Sequence, residues 1–228
     1  MMFSYNKFKF RFQRYAIRNL AAYVAILFAA GYLLLMTMPQ VYGLLLFAPK
    51  EVLHGQIWRI FTTIVYPPFS DNIFWAVLGI YVYYSMGTTL ERWWGSFNFN
   101  VYFFSSVLVS EIGIILFYLV TGYNLPLMPL YMYFSIFMAY AITFPDATFL
   151  LFFVLPIKAK YLAIAEAAIY FYNFLMGGMF NRVYIFCAVI PVAVYFYISY
   201  FGGGNPVKKM KEAAEQKKRR EEWRDMWR

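Results

Sequence analysis

Cysteine, histidine and charge are what this chain has least of, and each shortage removes a class of function. The one cysteine, Cys187, sits in an apolar run, which excludes an internal disulfide framework and a cysteine-built metal cluster. The one histidine, His54, leaves serine–histidine chemistry a single base to draw on. Charged residues are 14% of the 228, where a soluble domain carries about a quarter. Apolar residues fill the gap: 63% are hydrophobic and 24% aromatic, with a mean hydropathy of +0.56. Long apolar stretches between short polar breaks make lipid the natural solvent.

The scarce charge is also uneven. Residues 1–18 carry Lys7, Lys9, Arg11, Arg14 and Arg18 and no acid. From Lys208 to Arg228 there are nine Lys/Arg against five Asp/Glu, and the body between them holds six of each. Two basic ends flanking a formally neutral body read as cytoplasmic flanks under the positive-inside rule, or as segments lying on anionic headgroups. Nucleic acid is not an expected partner, because the basic excess is placed at membrane borders. No cofactor is expected either.

Six apolar segments follow along the chain. The first, Leu20 to Met38, is too long for a cleavable signal and lacks a small-x-small exit, so a retained signal anchor is expected. Val41 to Ala48 lies at the far interface. Pro49 to Ser70 reads as a long interfacial loop, where Trp58 and Arg59 are comfortable. Further spans are expected at Ile73–Thr89, Phe99–Thr121, Met128–Phe144, Tyr161–Met176 and Val183–Phe201, with an interfacial bend over Thr148–Pro156. The pattern predicts an all-α, polytopic membrane bundle of about six transmembrane helices. Its parts are a basic segment at 1–18, a membrane domain at 19–201 and a charged tail at 202–228, with both termini cytoplasmic. In that tail, Glu and Lys/Arg at helical spacing predict a short solvated helix, with Trp223 and Trp227 near one face.

Three stretches, in order, resemble the rhomboid superfamily. His54-Gly55-Gln56-Ile57-Trp58-Arg59-Ile60-Phe61-Thr62 is similar to the G-Q-x-W-R element of the first rhomboid loop, which derlins share. Gly87 through Glu91 to Gly95 is similar to the G-x-x-x-E-x-x-x-G element at the cytoplasmic end of the second helix. Phe144-Pro145-Asp146-Ala147, with the run to Lys158, is similar to the segment after the fourth helix. On physical grounds, Arg59 can bond loop carbonyls, Glu91 can accept backbone amides or pair with an arginine, and Gly87 and Gly95 permit close backbone approach.

The family's catalytic pattern breaks in this chain. A rhomboid protease cuts with a serine in G-x-S-G at the start of helix four and a histidine in helix six. Counting back from Phe144-Pro145 places Leu130 at the nucleophile position, within Met128-Pro129-Leu130-Tyr131. Ser135 lies deeper and has no flanking glycines. His54 precedes the Trp58-Arg59 element, while Lys158 and Lys160 sit at the cytoplasmic edge. No catalytic residue and no metal ligand set is therefore expected.

Two acids remain inside spans, Glu111 and Glu166. They are either structural, paired across the bundle or hydrogen-bonded to neighbours such as Ser110, Asn100 or Asn173, or they contact protons or clients. The resemblance implies a rhomboid-like pseudoprotease that binds transmembrane segments of other proteins between its second and fifth helices and perturbs the bilayer locally. The surfaces expected to face a client are Trp75 to Met86 and Tyr161 to Met176, and the expected setting is a prokaryotic plasma membrane. An active intramembrane serine protease and a small transporter using Glu111 and Glu166 are the alternatives.

Overall fold

The computed structural model describes residues 11–65, 72–127, 129–151 and 155–201, together with 215–216, 219–220, 222–224 and 226 of the tail. Lys7, Lys9, the Pro67-Pro68 pair, Trp227 and most of the tail lie outside the described residues. The described tail positions are helical and exposed.

A 3-10 turn at Gln13–Tyr15 leads into α1 (Leu20–Thr37). The chain then makes three one- or two-turn helices: α2 (Pro39–Leu45), α3 (Pro49–Leu53) and α4 (Trp58–Thr62), the last running into a 3-10 turn at Thr63–Val65. Pro39 and Pro49 stand in the first turns of α2 and α3, where the missing N–H is not needed. The expected broken loop is thus a chain of short helices.

Two long helices follow. In α5 (Ile73–Trp94), the Asn72 side chain accepts the Phe74 amide at 2.8 Å and caps the start. Gly95, at φ 83° and ψ 147°, ends α5 and starts α6 (Ser96–Thr121), a conformation that only glycine adopts cheaply. Helix α7 (Pro129–Thr143) stops two residues before Pro145, which disfavours helical backbone at the residue ahead of it. Helices α8 (Ala159–Met176) and α9 (Met179–Phe201) complete the bundle.

Between α7 and α8 the expected bend is instead an antiparallel hairpin. Strand β1 (Thr148–Leu151) pairs with β2 (Leu155–Lys158), Thr148 opposite Lys158 and Leu151 opposite Leu155. Pro156 sits within β2, opposite Leu150. In a two-stranded sheet both strands are edges, so a proline that cannot donate is tolerated.

Among the described residues, three stretches are long and apolar enough to cross a membrane: Gln13–Thr37, Ile73–Trp94 and Ser96–Thr121. Helix α7 is shorter. Its 15 residues reach roughly 22 Å at about 1.5 Å each, against a hydrocarbon core of about 30 Å.

Helix α6 is turned inside out relative to a soluble helix. Asn100, Ser106, Ser110 and Glu111 are buried, while Val101, Leu108, Ile112, Leu116 and Leu119 are exposed. Such a face suits lipid and not water. The main core joins α1, α5, α6 and α7 around Phe28, Tyr83, Trp94, Phe99, Tyr102 and Phe103. A second cluster joins the short-helix region to α6 and α9 through Phe47, Val52, Ile114, Tyr184 and Cys187.

Candidate functional site

Two of the three sequence elements become joints of the bundle. Arg59, in α4, is 6% exposed and spends its guanidinium on irregular backbone. Its Nη1 donates to the Gly43 carbonyl at 3.1 Å and to that of Leu46, and its Nε donates to Gln56 Oε1 at 2.6 Å. A planar fork with several donors suits such divergent acceptors, which one ammonium would serve less well. Trp58 Nε1 donates to the Leu44 carbonyl at 3.3 Å, Thr62 Oγ1 to that of Leu45 at 2.8 Å and Thr63 Oγ1 to that of Arg59 at 2.9 Å. Gly55, at φ 101°, turns the chain between α3 and α4. Carbonyls that α2 leaves at its C-terminal end therefore find donors on α4.

The same region is tied to the far end of α6. Asn124 Oδ1 accepts the Lys50 amide at 3.1 Å, while its Nδ2 donates to Glu51 Oε2 at 3.0 Å. The Leu127 amide donates to the Phe47 carbonyl at 3.1 Å, and Tyr184 Oη donates to that of Pro126 at 2.6 Å. Burial pushes the Glu51 carboxyl up, but the Asn124 amide and the Arg59 and Lys50 charges outweigh it and hold the group below its ordinary value. The return of this region runs against α1 at Gly31, where an added Cβ would lie 1.9 Å from the Val65 carbonyl oxygen.

At the opposite end, Glu91 is 5% exposed and its Oε2 accepts the Ala21 amide at 3.2 Å. A carboxylate on α5 thus caps the first turn of α1, where the helix dipole favours negative charge. Gly87 lies directly under Ala21, because a Cβ added there would sit 2.9 Å from the Ala21 Cβ. Of the two partners expected for Glu91, the structure has the amide.

The third element ends α7. Phe144 rests edge-on against Trp93 of α5 at 5.8 Å, and the Pro145 carbonyl accepts the Lys160 amide at 3.2 Å. Asp146 Oδ1 receives Lys158 at 3.2 Å and Lys160 at 3.3 Å, clasping the base of the hairpin. The Lys158 hydrogen bond, then that of Lys160, holds the Asp146 carboxyl below its ordinary value. Sequence reasoning missed this clasp, although opposite charges at the two ends of one apolar run were its signal. It also missed Thr63 and the bridging role of Asn124, which no local pattern marks.

The residues weighed for catalysis stay apart. His54 is exposed and its Nδ1 donates to the Lys50 carbonyl at 2.6 Å, within its own turn. Ser135 is 1% exposed and its Oγ lies 2.5 Å from Tyr102 Oη on α6, so it serves a helix–helix contact. Leu130 falls in the first turn of α7, and its side chain lies outside the described residues. Among the described residues, no three His, Cys, Asp or Glu side chains converge as a metal set would.

The two acids expected inside spans occupy different settings. Glu111 is 2% exposed; Thr63 is its hydrogen-bonding neighbour, and its Oε1 has no partner. The hydroxyl of Ser110, one of the neighbours weighed for it, donates to the Ser106 carbonyl at 2.9 Å. Glu166 is half-buried and not enclosed, because α8 buries only Ala159 and Ala163 among its described side chains.

The surfaces expected to meet a client are mostly open. On α5, Trp75, Tyr81 and Tyr84 are exposed, but Tyr83 is 2% exposed and packs against Phe28 at 4.8 Å and Tyr133 at 5.7 Å. On α8, Tyr161, Ile164, Ile169, Phe171, Tyr172 and Met176 are exposed, and Tyr170 instead leans on Phe134 of α7 at 4.2 Å. Helix α7 packs against both α5 and α8 and so stands between the two faces. No protein-family model, curated protein or solved structure matches this chain.

Proposed function

We propose that this chain is a rhomboid-like membrane protein of six crossings that does not cleave its partners. It binds transmembrane segments of other membrane proteins along the faces of α5 and α8 and disturbs the bilayer beside them, with both termini on the cytoplasmic side. The observation that carries this reading is the pair of exposed aromatic faces on either side of α7. Aromatic and Met side chains pack adaptably on varied helices. Helix α7 is short for a bilayer, and a short apolar helix is accommodated by local thinning. The placement of His54 and Ser135, each bonded elsewhere, supports the non-proteolytic part.

Photocrosslinking in living cells tests it, with probes at the exposed Trp75, Tyr81, Tyr161 and Tyr172. Adducts with a small set of intact membrane proteins are expected. Adducts with lipid alone overturn client binding, and recovery of cut fragments overturns the non-proteolytic reading.

A further inference from the structure

Where the chain enters the bundle, the segment around the Gln13–Tyr15 turn lies over the junction of α5 and α6, leaving a cleft of about 450 Å³. That is within the roughly 300–1,000 Å³ of small-molecule sites. Gln13, Arg14 and Arg18 line one side, and Gly95, Ser96 and Phe97 line the other. Neither arginine has a carboxylate within ion-pair distance among the described residues. Glu91, one turn below, is committed to the Ala21 amide.

The wall formed by α6 adds to this field. The helix has 26 residues, and the residue at its N-cap has no side chain with which to cap it. Its N-cap is Gly95, and a Cβ added there would meet nothing within 4 Å, so backbone amides can be approached closely. Two exposed arginines and a long helix's positive end therefore line one opening, which is the chemistry of phosphate recognition. Phe12, Tyr15 and Ile17, beside the arginines, are exposed. The segment thus presents cations toward the cleft's rim and apolar groups next to them, as expected at headgroup depth.

We propose that this cleft binds a phosphate group, supplied by the headgroup of an anionic phospholipid. Free inorganic phosphate offers the same oxyanion without the acyl chains, so the two sources are separable. The test uses the full chain in a non-ionic detergent, following its thermal unfolding against short-chain phosphatidylglycerol, short-chain phosphatidylcholine and inorganic phosphate. Phosphatidylglycerol is expected to raise the midpoint saturably, and phosphatidylcholine to do so weakly. Arg14→Gln with Arg18→Gln should weaken the apparent affinity by about a hundredfold, roughly tenfold per charged contact, while Arg11→Gln, outside the cleft, leaves it unchanged.

Ser96→Asp keeps the test decisive if the double variant folds poorly. An acid at the first position of α6 favours the helix yet repels a bound phosphate, so binding should be lost from a protein at least as stable. Inorganic phosphate acting as strongly as phosphatidylglycerol overturns the lipid source. Wild-type binding in both the double variant and Ser96→Asp, or no saturable response in any arm, overturns the site.

Discussion

The short-helix region between residues 39 and 65 and the long helix α8 are held in opposite ways. The first is irregular backbone pinned by side-chain donors: Arg59, Trp58, Thr62 and Thr63 each give a proton to a main-chain carbonyl. The second satisfies its amides within the helix beyond its first turn and buries only two alanines against its neighbours. In a solvent that offers no hydrogen bonds, irregular backbone must be paired inside the protein. A regular helix has such a need only at its ends, where Ala159, Lys160 and the Phe174 carbonyl find partners, and without a hydrophobic drive between apolar helices the rest of α8 is attached by packing. Rigidity therefore belongs to the part of the chain that looks least regular, and the long apolar helix keeps the freedom to exchange neighbours.

The strongest way to break this contrast is Arg59→Ala. It strands three part-buried acceptors, each toward the low end of about 1–3 kcal/mol for a group left unpaired, so a loss of about 2–4 kcal/mol is expected in unfolding of the detergent-solubilised protein. Arg59→Lys should recover part of it, because one ammonium reaches fewer of those carbonyls. Next comes Gly31→Ala. With the Val65 carbonyl oxygen 1.9 Å from the added carbon, overpacking should cost about 1–3 kcal/mol, read in the same assay. Paired substitutions on α8, Ile169→Ala and Phe171→Ala, should stay within about 0.5 kcal/mol each while lowering crosslink yield at Tyr172. A drop as large as that of Gly31→Ala would mean that α8 is as firmly fixed as the loop.

The smallest effect is expected at Asp146. Its carboxyl is held below the ordinary value of 3.8 by Lys158 and Lys160, so its contribution is present above that value and fades as pH falls through the lowered one. Asp146→Asn should abolish this acid dependence and leave the global unfolding midpoint nearly unchanged. Hydrogen exchange of the hairpin amides between pH 2 and 5 follows it locally, and added salt should mimic the substitution by screening.

Much of the helical layout was legible because apolar runs and their stops speak directly. The starts of α1 and α5 and the ends of α6 and α8 fall where Leu20, Ile73, Thr121 and Met176 place them. Arg59 and Glu91 were legible as groups that must find backbone partners. Which partners they found was not, since the choice of Gly43, Leu46 and Ala21 depends on the distant helix that arrives beside them. The hairpin was hidden by Pro156, whose usual meaning in a strand argues against pairing. Burial on α8 was hidden by composition: Tyr, Phe, Ile and Ala read alike whether they face protein or lipid. Tyr83 and Glu166 show both directions of that blindness, one enclosed among aromatic rings and the other only half-covered.

The bond from the Ala21 amide to Glu91 spans seventy positions of sequence and fixes the height of one rod against another. Sliding α1 by a single turn, about 5.4 Å, would pull its amide off the carboxylate and lift Ala21 away from Gly87. The first and second long helices therefore share one vertical datum at this end of the bundle. Any rearrangement that keeps this bond has to tilt or swing helices about that point, with piston motion of α1 excluded.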